Sequence, residues 1–146
     1  MMELSVLLVD DEEAFVEAVA RRLGKRAFRV VTATSGQQAL DALEEGGATR
    51  TDVVILDVKM PGMDGLETLT AIKRRHPLVE VVMLTGHATV ESAIEGMKRG
   101  AFDYLMKPCE MDTLVAKVSE AGQKKRNHEA KILEARATLI ALRRGD

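Results

Sequence analysis

Leu4-Ser5-Val6-Leu7-Leu8-Val9-Asp10-Asp11-Glu12 sets an almost unbroken apolar run against three consecutive acids. Continuous apolar character, rather than alternation, marks a strand buried on both faces, the habit of a parallel sheet. The same grammar returns along the chain. Val53-Val54-Ile55-Leu56 stops at Asp57, Val79 to Leu84 stops at Thr85, and Phe102 to Met106 stops at Lys107. Phe28 to Ala33 is a further strand. Amphipathic stretches separate these runs. Asp11 to Gly24 carries Phe15, Val19 and Leu23 at fourfold spacing, one face of a helix. Ser35 caps a helix over Gly36 to Glu45, which Gly46 and Gly47 end. Further helices are predicted from about Asp64 to Arg75, stopped by Pro77, from Thr89 to Arg99, ended by Gly100, and from Glu110 onward. Five strands alternating with five helices predict an α/β fold: a doubly wound, five-stranded parallel sheet with right-handed crossovers and an extended last helix.

In open sheets of this kind, ligands bind beyond the carboxyl ends of the strands. Asp10, Asp11, Asp57, Thr85 and Lys107 all fall there. Three clustered carboxylates repel one another by roughly 4 kcal/mol per pair at 4 Å and an effective dielectric near 20. A hard divalent cation relieves that repulsion. Oxygen ligands with room left for water and phosphate suit Mg²⁺, and there is no Cys or His cluster for zinc or iron. A flavin or dinucleotide would need a glycine-rich or hydroxyl-rich loop after the first strand; here that loop is Asp10-Asp11-Glu12-Glu13, which repels phosphate. A metal, a lysine and a hydroxyl around one carboxylate make a phosphoryl-transfer arrangement. Asp57, at the end of the middle strand, is the expected nucleophile, with Lys107 pairing to one phosphoryl oxygen and Thr85 donating a hydrogen bond to another.

The segments Val9-Asp10-Asp11-Glu12, Asp57-Val58-Lys59-Met60-Pro61-Gly62-Met63-Asp64-Gly65, Thr85-Gly86-His87 and Lys107-Pro108 together resemble the receiver domain of two-component response regulators, over about residues 3 to 121. The resemblance implies a flavodoxin-like fold and a sensor histidine kinase as phosphodonor. It implies a Mg²⁺ site formed by Asp11, Asp57 and the backbone carbonyl of Lys59, with Asp10 acting through water. It also implies a switch in which Thr85 moves to the phosphoryl group and Tyr104 turns inward, and a cis peptide bond before Pro108. The stretch Gly86 to Pro108, including Gly100-Ala101-Phe102-Asp103-Tyr104, further resembles receivers of enhancer-binding transcription activators of the nitrogen-regulation type. The ATPase and helix-turn-helix segments of such activators do not occur in these 146 residues, so a stand-alone receiver and a fragment of a larger regulator are both open.

Composition agrees with a signalling protein. The chain is 46% hydrophobic and 30% charged, with 21 Lys plus Arg against 23 Asp plus Glu, a balance that argues against direct nucleic-acid binding. The charge is unevenly placed: residues 1–121 hold 14 basic and 20 acidic groups, residues 122–146 hold 7 and 3. The single cysteine, Cys109, excludes an internal disulfide and fits a reducing cytoplasm. No apolar run approaches the roughly 18 residues of a membrane span.

Residues 1–121 are thus expected to form the receiver and residues 122–146 a helical extension. Met111, Leu114, Val118, Ala121, Lys125, His128, Ile132, Ala135, Leu139 and Leu142 follow a heptad stripe broken only by Lys125 and His128. That stripe predicts a homodimer seam along the last helix, with Gly122 as its weak point, where a hinge would let the tail fold back. Two other readings compete with the signalling receiver. A metal-dependent phosphohydrolase with an aspartyl-phosphate intermediate would place a general acid two residues after the nucleophile, where this chain has Lys59. A phosphorylation-independent adaptor would have no use for the full acidic set.

Overall fold

The computed structural model describes residues 3–46 and 50–145. Gly47, expected at the end of the second helix, and Asp146, in the expected extension, lie outside the described residues. The elements run β1 (Ser5–Val9), α1 (Glu13–Gly24), β2 (Arg29–Ala33), α2 (Gly36–Glu45), β3 (Val53–Leu56), α3 (Gly65–Arg75), β4 (Glu80–Thr85), α4 (Val90–Lys98), β5 (Asp103–Met106) and α5 (Met111–Arg144). All four strand pairings are parallel and the order is β2-β1-β3-β4-β5. The order reverses between β1 and β3, which makes the carboxyl ends of those two strands the crevice where ligands bind in doubly wound sheets.

Alternate residues of each central strand face opposite layers. Leu7, Val9, Val54, Leu56, Val81 and Met83 pack on one side with Leu40, Leu69 and Ile72 of α2 and α3. Val6, Leu8, Val53, Ile55, Val82 and Leu84 pack on the other with Val16, Leu23, Leu114 and Val118 of α1 and α5. Every residue of β3 and β4 is buried, whereas the edge strand β2 leaves Val31 half exposed. That difference explains why the central strands read as continuous apolar runs.

Local chemistry sets the helix starts. Asp64 and Glu67 form a capping box on α3, and Thr89 and Ser92 form one on α4. Helix α1 begins at Glu13 rather than at Asp11, because the Asp10 carboxylate accepts the Glu12 backbone N–H at 3.0 Å and holds the intervening residues in a turn.

The last helix runs unbroken for 34 residues, about 51 Å at 1.5 Å per residue. Gly122 is not a hinge. A Cβ there would lie 2.6 Å from the Leu4 side chain, so glycine is what lets α5 lie close against the start of the sheet. Lys125 does not interrupt an intermolecular seam either. It is 3% exposed, and its ammonium reaches Asp52 Oδ1 at 3.2 Å and Glu129 Oε2 at 3.1 Å. Arg126 adds Nε and a terminal nitrogen to the same Asp52 carboxylate, at 3.3 and 3.0 Å, and Ser5 N–H donates to it at 2.8 Å. The N-terminal edge of the sheet is therefore fastened to α5 by a buried aspartate, and the helix keeps contact with the receiver body as far as Glu129, which meets Arg50 at 3.3 Å.

Candidate functional site

Four strand ends carry the site. Asp57 N–H donates to Val9 O at 3.1 Å, which ties the end of β3 to the end of β1. Lys107 N–H donates to Thr85 O at 2.9 Å, which does the same for β5 and β4. Asp10, Asp11 and Asp57 each offer a carboxylate oxygen, and the three oxygens lie within 4.8 Å of one another. Asp10 and Asp57 are buried while Asp11 is exposed, so the cluster opens to solvent on one side. That opening is a cavity of about 480 Å³ lined by Asp11, Glu12, Asp57, Lys59, Asp64 and His87, among others.

Gly65 shapes the wall beside Asp57. A Cβ at this position would sit 1.9 Å from the Asp57 carbonyl oxygen, and the Gly65 N–H donates to Val58 O at 2.6 Å. Only glycine allows the first turn of α3 to press against the backbone of Asp57. Asp57 Oδ1 accepts the Val58 N–H at 2.8 Å.

Burial and the neighbouring Asp10 charge push the Asp57 carboxyl above its usual range, against the opposing pull of the Thr85 hydroxyl, Lys107 and the Val58 N–H. Thr85 is fully buried, and its hydroxyl oxygen accepts the His87 N–H at 3.0 Å.

Lys107 lies on Asp10 Oδ2 at 2.6 Å and on Glu12 Oε1 at 3.3 Å, with its ammonium 4.0 Å from the centre of the Phe15 ring. Burial works against its charge, but Asp10 and the other acids outweigh burial and hold the ammonium above its usual range. In this arrangement Lys107 neutralises part of the acidic cluster. The roles of Glu12 and Phe15 were not read from the sequence. Glu12 was visible as the third acid of a run and the last residue of the Val9-Asp10-Asp11-Glu12 segment, with no role attached, and Phe15 only as an apolar position on α1.

Lys59 lines the cavity, and the Lys107–Pro108 peptide bond is cis. Tyr104 stands on β5 opposite Met83, one strand from Thr85. Its hydroxyl lies 2.7 Å from Ser92 Oγ on α4, and its ring lies against Gly96, which ties β5 to α4. Ser92 was not singled out in the sequence; it lay inside the helix predicted from Thr89 to Arg99.

The three clustered ligand atoms of Asp10, Asp11 and Asp57 are all carboxylate oxygens, which fits a hard divalent cation. Among the described residues, no helix is long and apolar enough to cross a membrane.

Residues 6–119 match the family described as the response regulator receiver domain. The chain is 41% identical over 115 residues to the DNA-binding transcriptional regulator NtrC of Klebsiella pneumoniae, a match covering 78% of this chain and 24% of that protein. Among solved structures it resembles a response regulator receiver domain protein from Clostridium thermocellum, with 35% identity, a TM-score of 0.79, and coverage of 84% and 97% of the two chains. It also resembles the receiver domain of NtrX from Brucella abortus, with 34% identity, a TM-score of 0.74, and coverage of 81% and 98%. The chain spans about a quarter of the length of the curated relatives it matches. The parallel five-stranded sheet, the acids gathered at its β1–β3 crevice and these matches lead to one conclusion: the chain belongs to the response regulator receiver domain family.

Proposed function

We propose that Asp57 accepts a phosphoryl group from a sensor histidine kinase, and that the protein is a signalling switch rather than an enzyme that turns over substrates. The observation that carries this reading is the meeting of Asp10, Asp11 and Asp57 carboxylates within 4.8 Å beside Thr85 and Lys107. An Asp57 carboxylate oxygen forms the new bond to phosphorus as the donor's bond breaks, and the donor leaves with the electron pair. Asp10, Asp11, Asp57 and the Lys59 carbonyl would hold Mg²⁺. When bound, this ion supplies positive charge against the phosphoryl oxygens. Thr85 donates a hydrogen bond to the product, and Lys107 exchanges Asp10 for a phosphoryl oxygen. A cytoplasmic location accompanies this role. The direct test is mass spectrometry after incubation with a small phosphodonor and Mg²⁺, which is expected to show one added phosphoryl group on Asp57. An unmodified protein under those conditions would overturn the reading.

The metal site has a separate signature. Mg²⁺ is expected to raise the melting temperature, because a ligand that binds only the folded state stabilises it. Asp11→Ala is expected to weaken that response while raising the melting temperature in metal-free buffer, since one member of a repelling trio is gone. Thermal melts of both proteins with and without Mg²⁺ check this. Identical midpoints in all four samples would count against a shared acidic site.

The switch is proposed to run through Thr85 and Tyr104. Movement of Thr85 toward a phosphoryl group vacates space beside β5, and Tyr104 turns inward, releasing Ser92 and altering the α4–β5–α5 face. Val90, Ile94, Met97 and Met106 already expose apolar surface on α4 and β5 there. Tyr104 is the only tyrosine and the chain has no tryptophan, so its fluorescence reports on this step alone. A changed emission or quenching rate is expected on adding a phosphoryl mimic with Mg²⁺; an unchanged Tyr104 signal would remove this part of the proposal.

The extension of α5 is proposed to form a homodimer. Ile132, Leu133, Leu139, Ile140 and Leu142 are exposed beyond the receiver body, and among the described residues none covers them.

A further inference from the structure

We infer that Glu12 and the ring of Phe15 form a side seat for the Lys107 ammonium, which takes over from Asp10 when a divalent cation enters the acidic cluster. Glu12 is then a positioning residue: it favours the cation by drawing off the lysine that competes with it. The inference rests on the phosphoryl-acceptor reading above, and adds a step ahead of phosphoryl transfer.

The first argument is occupancy. Both oxygens of Asp10 are already engaged, Oδ1 by the Glu12 N–H at 3.0 Å and Oδ2 by Lys107 at 2.6 Å. Asp10 also belongs to the trio whose oxygens lie within 4.8 Å of one another. A cation among them would share a buried carboxylate with an ammonium, and two positive groups so placed repel. Lys107 therefore has to give way. Its backbone N–H is held by Thr85 O at 2.9 Å, so the side chain makes the move.

The second argument is where that side chain can go. Asp11 and Asp57 belong to the same trio and offer no relief. Glu12 stands outside it, with its side chain 68% exposed, and already meets Lys107 through Oε1 at 3.3 Å. That contact is longer than the roughly 2.7–2.9 Å of a well-formed ammonium–carboxylate bond, so it has room to shorten as the Asp10 contact opens. Phe15 serves the same spot. Its ring centre lies 4.0 Å from the ammonium, close enough for the negative ring face to attract it. The Glu12 carboxylate has no competing task at the helix start. Glu12 occupies the N-cap of α1, where Ser, Thr, Asp and Asn are favoured for their capping bonds, and its side chain makes none.

The test is a Mg²⁺ titration of the full chain followed by NMR, on the parent, Glu12→Gln, Lys107→Met and the double variant. Glu12→Gln is expected to weaken Mg²⁺ binding about threefold, the scale of an exposed ion pair. In the Lys107→Met background the same substitution is expected to leave the affinity unchanged, because the group it serves is gone. A second readout needs no change at Lys107 and decides the question even where Lys107→Met fails to fold. The Lys107 methylene protons next to the ammonium are shifted upfield by the Phe15 ring, and this shift is expected to grow as Mg²⁺ is added. Phe15→Leu is expected to abolish it. An equal loss of affinity in both backgrounds would show that Glu12 acts on the cation by its own charge, and would overturn the seat. An unchanged affinity in Glu12→Gln, or Lys107 protons that return to their ordinary position as Mg²⁺ binds, would overturn it as well. Failure of all four proteins to bind Mg²⁺ would instead remove the cation site, and with it the reading on which the seat rests.

Discussion

Asp57→Asn is expected to abolish phosphoryl incorporation, taking the stoichiometry from one group per chain to none. No other carboxylate in the cluster has its surroundings. Asp10 is occupied by Lys107 at 2.6 Å and by the Glu12 N–H, and Asp11 stands in solvent. Asp57 is the buried member that lines the cavity, with Thr85 beside it. Asparagine keeps the shape and the Val58 hydrogen bond but loses the nucleophilic charge. The same variant should be more stable than the parent in metal-free buffer. The Asp57 carboxyl titrates above its ordinary value of 3.8, so the folded state holds its proton more tightly than the unfolded chain does. Its contribution therefore favours the fold below 3.8 and is lost as pH rises through the higher folded value. Removing it should lift the melting temperature at neutral pH and leave the acid end less changed. Labelling of the variant at the parent's stoichiometry would refute the assignment, whatever its stability.

Asp52→Ala is expected to produce the largest loss of stability, about 3–5 kcal/mol, because it leaves the buried Lys125 with Glu129 alone and strips Arg126 and the Ser5 N–H of their shared acceptor. For a chain of this size that corresponds to a fall in melting temperature on the order of 10 °C. The sign of its pH dependence is opposite to that of Asp57. Burial raises the Asp52 carboxyl, but Arg126, the Ser5 N–H and Lys125 together outweigh burial and hold it below 3.8. The stabilisation is thus fully present above 3.8 and disappears as pH falls through the lower folded value. Melts of parent and variant across acid pH should converge. A difference within about 2 °C at neutral pH would show that the cluster adds little.

The order of elements and the gathering of Asp10, Asp57, Thr85 and Lys107 at one edge of the sheet were legible because both rest on local signals. Continuous apolar runs mark buried parallel strands, and the topology then obliges whatever follows each run to meet at one edge. Asp10, Asp57, Thr85 and Lys107 needed no more than that rule. Partnerships that depend on three-dimensional approach were not legible. Lys125 looked like a break in a heptad stripe because its acceptor, Asp52, lies 73 residues away at the foot of another strand. Gly122 looked like a weakness because helix propensity is a local property, while its contact with Leu4 is not. Lys107 was expected to wait for a phosphoryl oxygen, and its resting position on Asp10 and Glu12 follows from carboxylates that already crowd the same edge.

The unbroken α5 acts as a lever whose fulcrum is the Asp52 cluster. Eighteen residues follow Arg126 to the last helical position, Arg144, an arm of about 27 Å. A tilt of about 10° about that fulcrum carries the far end through about 5 Å, close to one helical pitch. The arm back from Arg126 to Met111 is about 22 Å, so the same tilt moves the start of α5 by about 4 Å in the opposite sense, and a shift at the β4–β5 edge is passed to the tip nearly undiminished.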